Sequence, residues 1–457
     1  MSVSTDNRPT VDARPRASLA VAMLGFFVVA LDAQIVNVAL PAIRNDLGGG
    51  LSGLQWVVTG YTLMFSALQL FAGTFSDRAG ARRAYGIGMI VFVVASAACA
   101  SSPSLPVLVG ARILQGIGGA MITPASLALI REAHHDAAAR GRAIVYWGLG
   151  GSVAAAAGPV LGGILTQLDW RLIFFVNLPV GAVALGVLSR VAVSPRRPAP
   201  FDWAGQISAV VGLAAVTYGI IEGAESGYGS TAIVLMFALA VVSLAVFVIA
   251  QTRGQHPMIP LDLFRPRAVS TALIIAVVTM AGFYGLVFVQ SLYFQQERGA
   301  SALETGLLFL PMTALVAILN PWVGRLMTRY GHVAMIAAGQ VIMAAGLIGL
   351  CLLPADAPVL LVAALMVPVG VGGSFTVPSI ISQVMDNFPA ERAGTASGVA
   401  NTARQVGGSL GVAIFGAVLA SGGFITGLRA SLGATAVVLI VLVTASLALQ
   451  RRRHTTA

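Results

Sequence analysis

The chain has 457 residues, of which 57% are apolar and 10% charged, and its formal net charge is +10. Apolar segments of about 20 residues, long enough to cross hydrocarbon, recur along its whole length, which excludes a soluble globular protein and makes the chain a polytopic membrane protein. The positive excess calls for no nucleic acid, because it sits in short loops and the "RRRH" tail and not on a basic soluble face.

Residues 1–17 are polar and carry Arg8, Arg14 and Arg16; the apolar segment behind them is too long for a signal-peptide core and reads as a permanent span. A hydropathy window of about 19 residues predicts spans at 18–40, 53–75, 84–101, 105–130, 141–167, 172–192, 203–221, 231–251, 268–295, 303–324, 333–353, 358–381, 395–420 and 428–449. Every basic residue is arginine; only Arg44, Arg171, Arg298 and Arg429 fall on one side of this arrangement, and Arg112 and Arg404 fall inside spans. The remainder share the other side, so the positive-inside rule predicts both termini in the cytoplasm.

The first span contains "LDAQIVNVALP" (31–41), and Asp32 is the one acidic residue well inside a span. Counted along the helix at about 1.5 Å per residue, Asp32 lies roughly 13 Å and Arg112 of span 4 roughly 9 Å below the same face, so the two can meet. Burial and a neighbouring arginine push the proton affinity of Asp32 in opposite directions. Two readings stay open: a fixed structural pair, or a proton site whose partner separates as the bundle changes state. Gln34 and Asn37 fall roughly 160° and 140° around the helix from Asp32; one set faces the central cavity, for which Gln34 and Asn37 are candidates, and the other a neighbouring helix.

Between spans 2 and 3 runs "GTFSDRAGARR" (73–83), where Gly73 and Gly80 permit a tight turn and Asp77, Arg78, Arg82 and Arg83 can pair with a neighbouring helix end. In span 4, Arg112, Gln115, Gly116, Gly119, Thr123 and Ser126 form one stripe. Arg112 and Gln115 read as cavity-lining, and the glycines as packing positions. Span 5 holds "AAAAGPVLGG", in which Gly158, Pro159, Gly162 and Gly163 allow bending and close helix approach. Glu222 reads as interfacial. Span 13 repeats the polar pattern with Ser397, Asn401, Arg404, Gln405 and Gly408, and Arg404 lies near midplane with no acidic residue at its depth in the same half. It either bonds backbone carbonyls or faces the cavity with Asn401 and Gln405.

An internal repeat relates the two ends of the chain. "QGIGGAMITP" (115–124) matches "VGVGGSFTVP" (369–378), "GTFSDRAG" matches "GRLMTRYG", "GRAIVYW…GPVLGG" matches the stretch 394–416, and Cys99 matches Cys351, all at offsets of 251 to 254. This predicts two parallel six-span halves, 18–192 and 268–449. A linker at 193–267 carries two added spans, and tails lie at 1–17 and 450–457. Parallel halves of this kind belong to alternating-access transporters with substrate held between them.

Together these stretches resemble the major facilitator superfamily, specifically its fourteen-span drug/proton antiporters of the EmrB/QacA type. "LDAQIVNVALP" resembles their first-span motif, with Gln34 where threonine is usual; "GTFSDRAGARR" resembles the span 2–3 loop, "ARILQGIGGA" the fourth-span arginine motif and "AAAAGPVLGG" the fifth-span antiporter motif. The resemblance implies that the 73–83 loop latches the outward-open state and that the Gly158–Gly163 region helps close the antiport path. In the second half Thr328 stands where Asp77 sits in the first.

The expected function is proton-coupled efflux of a hydrophobic drug-like or metabolite molecule from a cell inner membrane, with Asp32 as the coupling acid and Arg112 as its regulator. The partners are then a small molecule, protons and the bilayer, and the chain acts as a monomer. No cofactor or metal is expected: the histidines lack metal spacing and no P-loop is present. The rivals are a transporter of an anionic metabolite with other coupling, favoured by Arg404, and a membrane-embedded enzyme or sensor, for which no nucleophile and base gather at one face.

Overall fold

Without water in the hydrocarbon layer, backbone groups must pair within their own segment, and a chain of apolar 20-residue stretches folds as helices. The computed structural model describes residues 15–196, 200–388 and 393–455, and all their regular structure is helical. The helices are α1 (Pro15–Leu47), α2 (Leu51–Ala79), α3 (Ala81–Ala100), α4 (Leu105–Ala133), α5 (Ala137–Leu168) and α6 (Leu172–Leu188, in two pieces meeting at Val176). Then follow α7 (Trp203–Ser226), α8 (Thr231–Arg253), α9 (Arg267–Leu292), α10 (Ala302–Tyr330), α11 (His332–Leu352), α12 (Val359–Asp386), α13 (Ala393–Gly422) and α14 (Phe424–Thr455). Thirteen are long and apolar enough to cross a membrane; α6 is shorter. The protein is thus an all-α, multi-pass membrane protein.

Several helices outrun their predicted spans, because a hydropathy window sees only the hydrocarbon-length part while hydrogen bonding continues into the polar flanks. α1 passes through Pro41 to Leu47, and α14 runs on to Thr455 through residues read as a tail. The predicted N-terminal tail lies outside the described residues up to position 14. Polar side chains start some helices: Asp136 accepts from Ala139 N at 2.7 Å, Asp202 from Gly205 N at 2.7 Å, and Ser301 with Glu304 forms a capping box at α10. The α2–α3 and α10–α11 turns each hinge on one glycine in the left-handed region, Gly80 (φ 89°) and Gly331 (φ 81°), which are partners in the repeat.

Helices α1–α6 pack on one another, as do α9–α14. The repeat reappears in three dimensions. A Cβ on Gly118 of α4 would meet Phe92 N of α3 at 2.6 Å, and one on Gly372 of α12 would meet Met343 Cβ of α11 at 2.6 Å. Both helix pairs therefore approach backbone to backbone, as small residues permit in lipid.

The two bundles meet along α2 with α13 and α5 with α10. On the side of the α1–α2 turn, here the far side, apolar residues of both bundles form one continuous core, from Leu31, Ile35 and Leu40 to Phe288, Phe294 and Phe415. On the near side, where α1 begins, the first bundle has its own core around Tyr61, Tyr85 and Phe92, and the second has another around Leu273, Ile336 and Ile380, with Leu70 of α2 packed against it. The molecule is closed on the far side.

The closure rests on neutral donors and backbone acceptors. Pro41 has no N–H to offer the carbonyl of Asn37 four residues earlier; Ser291 of α9 donates its hydroxyl to that oxygen at 2.6 Å. Gln295, in the π-helical turn Tyr293–Glu297 that extends α9, donates to Val38 O at 2.9 Å, and Gln55 of α2 donates to Ala413 O at 2.8 Å and Val412 O at 3.2 Å on α13.

The two helices between the bundles sit at the margin. α7 packs on both α2 and α13, one helix from each bundle, while α8 packs mainly on α7 and presents an exposed apolar face. α7 is pinned to α2 at both ends: Trp56 Nε1 donates to Glu222 at 2.8 Å, and Gln206 Nε2 donates to Ala67 O at 2.9 Å. Glu222 thus holds a helix end.

Candidate transport site

Asp32 lies in α1 without exposed surface, and its carboxylate is surrounded by donors from two other helices. Arg112 Nη1 and Asp32 Oδ2 form an ion pair, while Gln115 Nε2 donates to Oδ1 at 2.8 Å and Asn177 Nδ2 to the same oxygen at 2.9 Å. Ser96 of α3 joins them, its hydroxyl accepting from Gln115 at 2.8 Å and Asn177 at 3.3 Å. Four helices, α1, α3, α4 and α6, therefore converge on one carboxylate. Such a site is tolerable at membrane depth because the charge is paired and hydrogen-bonded on both oxygens.

Arg112 also reaches α2. Its Nε donates to Val57 O at 2.9 Å, and its guanidinium lies 4.4 Å from the ring centre of Tyr61 and 5.7 Å from that of Phe174. Since Val57 is two residues from Gln55, the ion pair stands next to the clasp that holds α13.

The sequence-derived candidates distribute as follows. Asp32, Arg112 and Gln115 come together; Gln115, expected at the cavity, has no exposed surface and serves the carboxylate in this conformation. Gln34 packs against α5, where a Cβ on Gly158 would lie 2.8 Å from its own Cβ. The Asn37 amide donates within its own helix to Ala33 O and Gln34 O, and its carbonyl belongs to the far-side closure. In the second bundle Arg404 Nη1 donates to Asn401 Oδ1 at 3.0 Å, and Asn401, Arg404 and Gln405 are all partly exposed. Ser96 and Asn177 are the members that sequence reasoning missed.

The glycines of α5 mark two contacts. Those facing α1 are Gly158 and Gly162, where an added Cβ would meet Ile35 O at 2.8 Å; Gly163 faces α10, where it would meet Ala302 O at 2.6 Å and Leu303 Cα at 2.7 Å. A Cβ on Gly306 of α10 would strike the Pro159 carbonyl and lie 3.1 Å from Val160 Cα. All four predicted positions, Gly158, Pro159, Gly162 and Gly163, thus lie where the bundle interior or the opposite bundle comes closest.

The stretch 73–83 is not a loop: hydrogen bonding carries α2 through Gly73 to Ala79 and α3 begins at Ala81, so Gly80 alone makes the turn, and this corner leans on the segment after α6. Arg82 donates from its backbone to Ser194 Oγ at 2.9 Å and from Nη2 to Ser189 O at 3.2 Å, Ser194 Oγ donates to Glu132 at 2.5 Å, and Arg78 stacks 4.9 Å from the Phe201 ring centre. A Cβ on Gly80 would meet Ser194 O at 3.1 Å, Gly73 faces open space, and Asp77 and Arg83 are exposed.

Residues 22–412 match the profile described as Major Facilitator Superfamily. The chain belongs to that superfamily. Among its relatives, the multidrug resistance protein Stp of Mycobacterium tuberculosis is 38% identical over 401 residues, covering 87% of this chain and 74% of that protein. The tetracenomycin C resistance and export protein of Streptomyces glaucescens is 34% identical over 412 residues, covering 89% of this chain and 76% of that one. Among solved structures, a peptide transporter in complex with sulfate superposes with a TM-score of 0.71 at 14% identity, covering 96% of this chain and 95% of its own, a likeness of fold. As a facilitator-superfamily member the chain is a transporter of small molecules and not an enzyme.

Asn177 offers a direct check on the site. A hydrogen bond to a charged group contributes about 1.5–3 kcal/mol, so Asn177→Ala is expected to lower the melting temperature of the purified transporter and its transport rate. Asn177→Asp places a second carboxylate beside Asp32 and is expected to be worse. Unchanged melting and transport in both variants show that Asn177 does not serve the carboxylate.

Proposed function

We propose that this transporter is a proton-coupled drug exporter of the fourteen-span EmrB/QacA type, working by alternating access from the inner membrane with both termini in the cytoplasm. In this reading α1–α6 and α9–α14 are the two moving halves, residues 203–253 a peripheral addition, and the far side the cell exterior, so the present conformation faces inward. The observation that carries it is the buried Asp32–Arg112 pair with Gln115 and Asn177, an acid able to exchange a proton only by rearranging helix contacts. Relatives named for multidrug resistance and for resistance and export point to the class of cargo.

The coupling follows from the contacts. Protonation of Asp32 removes the charge that holds Arg112, and Arg112 also holds Val57 O on α2. α2 carries the Gln55 clasp on α13. Gain or loss of the Asp32 proton thereby shifts the balance between the two arrangements of α2 against α13, which ties proton movement to the state of the gate. The α2–α3 corner, with Gly73, Asp77, Arg78, Gly80, Arg82 and Arg83, acts at the cytoplasmic gate in the opposite, outward-open state.

The test is accumulation of fluorescent drugs in an efflux-deficient bacterium expressing the chain. Accumulation lower than in empty-vector cells, restored by a protonophore, is expected; accumulation unaffected by the chain, or export that survives the protonophore, opposes the reading.

A further inference from the structure

The charges at membrane depth are unequally matched. Asp32 and Arg112 neutralise each other inside the first bundle, whereas Arg404, in mid-α13, has no carboxylate within ion-pair distance among the described residues. Its Nη1 reaches only the neutral Asn401 side chain, and its Nε is buried with no hydrogen-bond partner there. Residues 401–406 are all partly exposed while 407–409, immediately after them, are buried, so the packing around α13 is looser at Arg404 and tightens toward the far side.

An aromatic pair lies on the Arg112 side of Arg404. A Cβ on Gly408, one turn beyond Arg404, would lie 2.9 Å from the Tyr284 ring of α9, and Tyr284 is an electrostatic neighbour of both Arg404 and Tyr61. Tyr61 in turn lies under Arg112. The two tyrosines therefore stand between the two arginines, on opposite bundles. Of these arginines only Arg404 is left unneutralised.

An unpaired guanidinium in a partly desolvated site attracts an anion far more strongly than it would in water, and its planar fork matches a carboxylate or sulfonate. With Oδ1 turned to Arg404, the Asn401 amide keeps its N–H donors for the same ligand. An organic cation finds no corresponding acid: Asp32 has no exposed surface, and both its oxygens already accept hydrogen bonds. We propose that Arg404, Asn401 and Tyr284 form the head-group end of the substrate cavity and that it takes the acidic group of an amphiphilic organic anion, with the Tyr284 ring against the apolar body. The inference rests on the transport reading above for the cavity between the bundles, and names the charge class of what enters it.

Fluorescein and rhodamine 123 share a xanthene core and carry opposite charge, which makes them the probes. Binding is read by fluorescence anisotropy with the purified full-length protein in nanodiscs, without a gradient, and transport by uptake into proteoliposomes under an imposed pH gradient. The wild type is expected to bind fluorescein at least about fivefold more tightly than rhodamine 123. Arg404→Gln should remove that preference at unchanged melting temperature, and Arg404→Lys, which keeps the charge, should retain most of it. Wild-type preference for rhodamine 123, no binding of fluorescein, or an equal loss of both probes in Arg404→Gln overturns the proposal. Arg404-dependent fluorescein binding without gradient-driven uptake leaves it standing and instead contradicts proton-coupled export; gradient-driven uptake blind to probe charge does the reverse.

Discussion

Asp32→Asn is expected to reduce gradient-driven export to the background of empty vesicles. The substitution keeps the shape of the side chain and removes the charge, so the resulting amide cannot exchange a proton and Arg112 is left as an uncompensated buried cation. Breaking a buried pair from one side costs about 3–5 kcal/mol, so the yield of the single variant should fall as well. The double variant Asp32→Asn with Arg112→Gln replaces the pair by neutral amides and is expected to recover yield and melting temperature while export stays absent. That separation between a folded protein and a working one is what a coupling acid predicts. If the pair is only structural, the double variant should export. Proton-driven export by any well-inserted protein carrying Asp32→Asn contradicts the assignment.

The second large effect is expected at the seam between α5 and α10. Gly163 admits no Cβ without displacing the Ala302 carbonyl and Leu303 Cα, and backbone at van der Waals contact does not yield as a flexible side chain does. Gly163→Leu should therefore prevent far-side closure, abolishing export while each bundle still folds. Accessibility of a cysteine at Ser291, introduced in a background with Cys99 and Cys351 replaced by alanine, reads the state. In the parent closure hides this residue, which has no exposed surface, and in the Gly163→Leu variant an impermeant maleimide applied from the far side should label it severalfold faster. Equal labelling in both proteins shows that the seam does not control closure.

The sequence carried the membrane class, the repeat and the Asp32–Arg112 encounter, each for a physical reason. Span length follows from hydrocarbon thickness, and the depth of two residues on neighbouring spans follows from helical rise alone. Rotation was harder. Gln115 shares a stripe with Arg112, but whether that stripe faces the cavity or another helix depends on which donors Asp32 gathers, and the carboxylate's second oxygen drew Gln115 inward. Asn177 and Ser96 are neutral residues in apolar stretches, with no charge or spacing to single them out. The role of Asn37 was hidden differently: its side chain stays on its own helix, while Pro41 turns its backbone carbonyl into the acceptor that Ser291 uses. The four positions of the α5 motif were legible as close-packing sites, though not which helix each one meets.

Proton movement during substrate movement tests the central claim most directly. Purified protein in tightly sealed proteoliposomes, with a pH indicator in the lumen and no initial pH gradient, is given fluorescein outside; if fluorescein does not bind, rhodamine 123 takes its place. Substrate then enters down its own gradient, and an antiporter must send protons out. The account predicts a rise in luminal pH that depends on the wild-type protein and is absent with the Asp32→Asn, Arg112→Gln double variant. Substrate entry with no change in luminal pH, or with acidification, contradicts proton antiport.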